Sequence, residues 1–167
     1  MIDTCTSTFS ELALTVLPND MARMRAAMQK PRSLSEFCDC GIKTMLENLD
    51  LPSDFSGCYV LMRDGIPFYV GISRGVLKRL RQHGKGSTHF DASLVYRMAT
   101  KKTGHEMTRD GAMKDLAFRQ AFQEEQRLLR DCTVAFVTID NPLELYLFEV
   151  YCAMELNTCE WNTFETH

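Results

Sequence analysis

Asp64-Gly65, set between the apolar runs Gly57 to Arg63 and Pro67 to Ser73, constrains the fold of this chain more than any other feature. An Asp-Gly pair accepts the left-handed backbone that a tight turn needs, so the two runs read as an antiparallel hairpin. A third strand is predicted at Thr133 to Ile139, which is dense in β-branched residues. Elsewhere the periodicity is helical, over residues 10 to 28, 33 to 49, 75 to 83, 88 to 100 and about 109 to 130, then from Asn141-Pro142 to about Leu156. Pro31 separates the first two helices, and Ser33 or Ser35 can cap the second. The expected class is α+β, a small three-stranded antiparallel sheet flanked by helices. Pro52-Ser53-Asp54 breaks the pattern, which predicts an N-terminal helical extension over residues 1–55 and a second domain over residues 56–167.

Composition excludes several classes. No apolar run approaches the roughly 20 residues of a membrane-spanning helix. The start Met1-Ile2-Asp3-Thr4 lacks a basic stretch followed by an apolar core, so no secretory signal is expected. Seven cysteines, with no paired zinc spacing, are expected to stay reduced in a cytoplasmic protein. The net charge of -3 conceals a strong asymmetry. Arg74 to Arg109 holds nine Lys or Arg against only Asp91 and Glu106, while Asp110 to the end holds four basic against eleven acidic residues. A basic segment inside an acidic chain is either a phosphate-binding surface or a solvated stretch balanced by acidic helices.

Five positions could carry chemistry. Tyr59 and Tyr69 lie on the two hairpin strands, and whether they share a face depends on the connection. A regular two-residue turn would pair Tyr59 with Val70 and place the tyrosines on opposite faces, whereas an odd loop or a bulge would bring them together. Arg79 and His83, one helical turn apart, suit a phosphate grip beside a proton-handling imidazole, or a solvated face. Glu149 sits among Leu145, Tyr146, Cys152 and Ala153 on its helix. A carboxylate in an apolar stripe needs a partner, which leaves either a cation or an ion pair with a residue such as Arg79.

The run Gly57-Cys58-Tyr59, then Tyr69-Val70-Gly71, then Arg79, His83, Glu149 and Asn162, resembles the GIY-YIG nuclease family over roughly residues 56 to 164. Cys58 and Val70 stand where the family name has Ile, and Ser73 and the ending Trp161-Asn162-Thr163 also look like the family. The resemblance implies a metal-dependent endonuclease acting on DNA. Glu149 would be the single carboxylate ligand of Mg²⁺ or Mn²⁺, with water completing the shell. It implies Arg79 on the scissile phosphate, Tyr59 as general base with His83 lowering its pKa or accepting its proton, or else His83 acting directly, Tyr69 orienting water or phosphate, and Asn162 bracing the site. Nucleic-acid contacts would come from Gly71, Ser73, Arg74, Lys78, Lys85, His89, Arg97, Lys101 and Lys102.

Two other readings compete with the enzyme. One is a catalytically inactive DNA-binding module of the same fold. The other is a structural or interaction protein in which Arg79 and Glu149 form a buried ion pair. Met21, Met24 and Met28 form a stripe that serves either a homodimer contact through the N-terminal helices or core packing.

Overall fold

The computed structural model describes residues 2–164, and the chain divides into two compact units. The first is drawn from the residues up to Arg32, from Pro52–Val76 and from Thr133 onward. The second comprises Ser33–Leu51 and Leu77–Cys132. In chain order the elements begin with α1 (Phe9–Glu11), a π-helical turn (Leu12–Val16), α2 (Leu17–Met28), β1 (Arg32–Ser33), α3 (Leu34–Cys38) and α4 (Ile42–Leu49). There follow β2 (Gly57–Arg63), β3 (Ile66–Ser73), α5 (Val76–Lys85), α6 (Ser93–Thr103), α7 (Arg109–Lys114), α8 (Leu116–Arg130), β4 (Thr133–Thr138) and α9 (Pro142–Glu155).

The class is α+β, with a small antiparallel sheet flanked by helices. Among the described residues that sheet has four strands, in the order β1-β4-β2-β3, one more than the sequence predicts. The addition is β1, whose two residues are too few to show an alternating pattern. Two predicted helices are also broken. The helix expected over 33 to 49 stops at Asp39 and restarts after an extended Gly41. The one expected over 109 to 130 is interrupted at Asp115, which leaves the helical region and accepts the Phe118 N–H at 2.8 Å to cap α8.

In the first unit, β2 is central and lies antiparallel to both β3 and β4. Cys58, Val60, Met62 and Val70 project to one face, where Leu17, Met21 and Met24 of α2 and Phe148 and Cys152 of α9 cover them. The methionine stripe therefore serves the core, with Met28 partly buried against it. In the second unit α3, α6 and α7 pack on α8. Its buried side chains include Leu34, Leu94, Phe118, Phe122 and Leu129. No helix among the described residues is long and apolar enough to cross a membrane.

Candidate functional site

The hairpin turn has two residues: Arg63 pairs with Ile66 across Asp64 (φ 52°) and Gly65 (φ 77°), both left-handed as such a turn requires. Continued regularly, that register would separate the tyrosines. It does not continue. Met62 pairs with Pro67 but Leu61 pairs with Tyr69, so Phe68 is bulged out of the ladder. Pro67 has no N–H to give the ladder, and it sits on edge strand β3 just where the register slips. The shift pairs Tyr59 with Gly71 and puts Tyr59 and Tyr69 on one face, their ring centroids 6.2 Å apart and tilted by 55°. Gly71 makes room there, because a Cβ would meet the phenol end of Tyr59 and force the ring to shift. Tyr59 is only 1% exposed.

Asn162 closes the outer edge of β3. Its Oδ1 accepts the Val70 N–H and its Nδ2 donates to the Val70 carbonyl, each at 2.8 Å. One amide thus satisfies both backbone groups that an edge strand leaves open. The preceding chain is set by the end of α9, where Asn157 (φ 53°) turns the chain and Thr158 donates back to Ala153 at 3.1 Å. Asn162 then donates its own N–H to Thr158.

Glu149 is half-buried on α9, and burial alone raises its pKa above the usual carboxylate range. Its carboxyl makes no hydrogen bond or ion pair among the described residues. Its charge is felt by Cys58, which faces α2 and α9. Tyr59 and Tyr69 point to the other side of the sheet. The first unit therefore brings the two tyrosines together and leaves Glu149 across the sheet from them, with edge strand β3 between.

Ser73 oxygen shares two bonds with Gly75, donating to its carbonyl and accepting its N–H, which shapes the entry to α5. Arg74 beside it is exposed.

Within the second unit, Arg79 is fixed by donating from Nη1 to the Asp91 carbonyl (2.8 Å) and from Nη2 to Ser93 Oγ (2.9 Å). Asp91 is itself held, its carboxylate accepting from Gln82 and Thr88. The guanidinium is thus preorganised with three N–H donors to spare. Asp91 and Ser93 carry no sequence signal for this role; only the fold places them under Arg79. His83 is fully buried, and desolvation, with Arg79 and Arg97 adding repulsion, lowers its pKa to about 3. It is a neutral imidazole at any physiological pH. His89 is also buried, in tilted ring contact with Phe90 and Tyr96, with Nδ1 3.8 Å from Asp110.

The basic stretch is partly spent on the protein itself. Lys102 reaches Glu124 and Glu125, each at 3.0 Å, which is the balancing by acidic helices foreseen as one reading of that segment. Lys78 and Lys85 remain exposed on α5, Lys101 on α6, and Arg97 is half-buried. Lys78, Arg81 and Lys85 line one groove of about 380 Å³.

Among the described residues, no three or more His, Cys, Asp or Glu side chains form a group able to hold a metal. A cation held by one carboxylate and water needs no such group. Glu149 fits that demand, since its carboxyl is part-desolvated and has no protein cation beside it in its own unit. Comparison with family models, with curated proteins and with solved structures finds no match to this chain.

Proposed function

We propose that this chain is a metal-dependent endonuclease that hydrolyses phosphodiester bonds of DNA with a single divalent cation, on a GIY-YIG-like core. The observation that carries the proposal is the Phe68 bulge. A two-residue turn alone would separate Tyr59 from Tyr69, and the bulge restores the shared face that a two-tyrosine site demands. Bulges re-aim side chains next to active sites.

In this reading Glu149 holds Mg²⁺ or Mn²⁺, and the cation supplies charge stabilisation for the phosphate and the leaving oxygen. The resemblance assigns Arg79 to the phosphate, and its tethering to Asp91 and Ser93 suits a donor that must not reorganise during reaction. Tyr59 and Tyr69 position the attacking water, with Tyr59 acting as general base in its phenolate form. The phenol proton leaves to solvent, because burial holds His83 neutral and keeps it from storing the proton. Asn162 keeps β3 straight at Val70. A backbone crossing the β3 edge would reach both the tyrosine face and Glu149.

The near-complete burial of Tyr59 favours the second reading, an inactive DNA-binding module. Incubation of supercoiled plasmid with Mg²⁺ or Mn²⁺ at low salt separates the two. The enzyme reading predicts nicking or linearisation by the wild type and none by Glu149→Ala. Plasmid retarded in a gel but left intact by the folded wild type would support the module instead.

A further inference from the structure

A groove of about 280 Å³ in the first unit is built where the end of β3 meets the start of α9. Its walls include Ser56, Ser73, Arg74, Asp140 and Tyr146. They are firmly set. The Ile139 N–H donates to the Ser56 carbonyl at 3.0 Å, Ser73 is locked to Gly75, and Asn141 caps α9 by accepting the Glu144 N–H at 3.1 Å.

Against that rigid frame, three functional side chains are uncommitted. Arg74, Asp140 and Tyr146 make no hydrogen bond, ion pair or ring contact among the described residues. Arg74 and Asp140 line the same groove with opposite charges and yet form no salt bridge. Tyr146 leaves 61% of its surface exposed, on the face of α9 turned away from the core.

The three chemistries together describe one ligand. A guanidinium seeks a phosphate, and an exposed phenol ring offers a stacking platform for a base. An ionised carboxylate only accepts hydrogen bonds, with two oxygens side by side. On the Watson–Crick edge, guanine alone presents two adjacent donors, N1–H and the 2-amino group. Adenine and cytosine set a single amino donor beside a bare ring nitrogen, and thymine flanks its one donor with carbonyls. We propose that this groove binds an unpaired guanine nucleotide, with Tyr146 stacked on the base, Asp140 pairing N1–H and the 2-amino group, and Arg74 on its phosphate.

The proposal deepens the nuclease reading, on which the polymeric nature of the ligand rests. Glu149 follows Tyr146 by one helical turn, so an unpaired guanine held here would set which phosphate lies near Glu149. The substrate class would then be DNA with an unpaired or extruded guanine beside the cut.

The test is fluorescence anisotropy of labelled five-nucleotide thymidine oligomers carrying guanine, hypoxanthine or adenine at the centre, at low salt in EDTA. Wild type is expected to bind the guanine oligomer about tenfold tighter than the adenine one, near 1.4 kcal/mol by the usual conversion. Hypoxanthine, lacking the 2-amino group, falls between. Asp140→Asn, exposed and isosteric, loses the discrimination, and Tyr146→Ala weakens guanine binding roughly tenfold. Equal binding of guanine and adenine oligomers by the wild type overturns the proposal, as does discrimination that survives Asp140→Asn. Because no metal or cleavage is involved, base discrimination without plasmid cleavage would remove the nuclease reading and leave the groove. Cleavage without discrimination would do the reverse.

Discussion

The phenol end of Tyr59 lies directly over Gly71, its partner across the hairpin, in space that any side chain at Gly71 would occupy. The glycine is there for the tyrosine. Their adjacency follows from one extra residue, Phe68, in an edge strand.

Gly71→Ala should therefore displace the Tyr59 ring and cost about 1–3 kcal/mol, as overpacking does. In a Tyr59→Leu background, where no phenol overhangs, the same change should cost clearly less. Urea denaturation of the four proteins measures the coupling. An equal penalty in both backgrounds would show that the two residues do not meet.

Asn162→Asp keeps an acceptor for the Val70 N–H but sets a carboxylate oxygen against the Val70 carbonyl. A loss of about 1–3 kcal/mol is expected, the usual consequence of leaving a part-buried polar group badly paired. Hydrogen exchange at the Val70 amide should rise in Asn162→Ala, while exchange in the centre of β2 stays slow. Unchanged protection at Val70 would remove Asn162 from the strand edge.

Half-buried Glu144 and buried His83 give the stability opposite pH slopes. Burial and the neighbouring Asp20 carboxyl raise Glu144 to about 7, and its proton supplies the donor that buried Asp20 Oδ2 otherwise lacks. The folded state keeps that proton between the ordinary value of 4.5 and about 7, so this contribution falls as pH rises across the window. His83 is lowered from 6.5 to about 3, so the unfolded chain binds the extra proton and stability rises with pH from about 3 to 6.5. Glu144→Gln should reduce the decline toward pH 7, what remains belonging to Glu149, which burial also raises, and so bring out the rise due to His83. Thermal melts from pH 4 to 8 read both, and a wild-type decline undiminished in Glu144→Gln would contradict the Glu144 assignment.

The basic residues are not equivalent. Lys102 is already neutralised by Glu124 and Glu125, whereas Lys85 is exposed and makes no ion pair among the described residues. Lys85→Ala should lower the salt dependence of DNA binding by about one phosphate contact, and Lys102→Ala should leave it unchanged. The opposite ranking would move the nucleic-acid surface from α5 to α6.

The elements that sequence made legible are those with a strong local signal. Asp64-Gly65 fixed the hairpin turn, β-branched Thr133 to Thr138 formed β4, and Asn141-Pro142 opened α9. The face of Tyr69 was not legible, because a single bulged residue reverses parity and leaves only Pro67 as a trace. Asp115 is not legible as a helix break because its neighbours keep the helical period, and its capping role needs a chain direction that only packing decides. The residues proposed for one site were legible as types, but their grouping was not. Cys58 and Tyr59 are adjacent in sequence and face opposite sides, so Glu149 lies with the first and Tyr69 with the second.

The account stands most directly on Glu149, a half-buried carboxyl with neither hydrogen bond nor ion pair among the described residues. Electron paramagnetic resonance of Mn²⁺ titrated into wild type and Glu149→Gln, with folding checked by circular dichroism, reads its occupancy without reference to activity. The account predicts one bound Mn²⁺ per chain in the wild type and its loss in Glu149→Gln. An identical Mn²⁺ isotherm for the two folded proteins would contradict it.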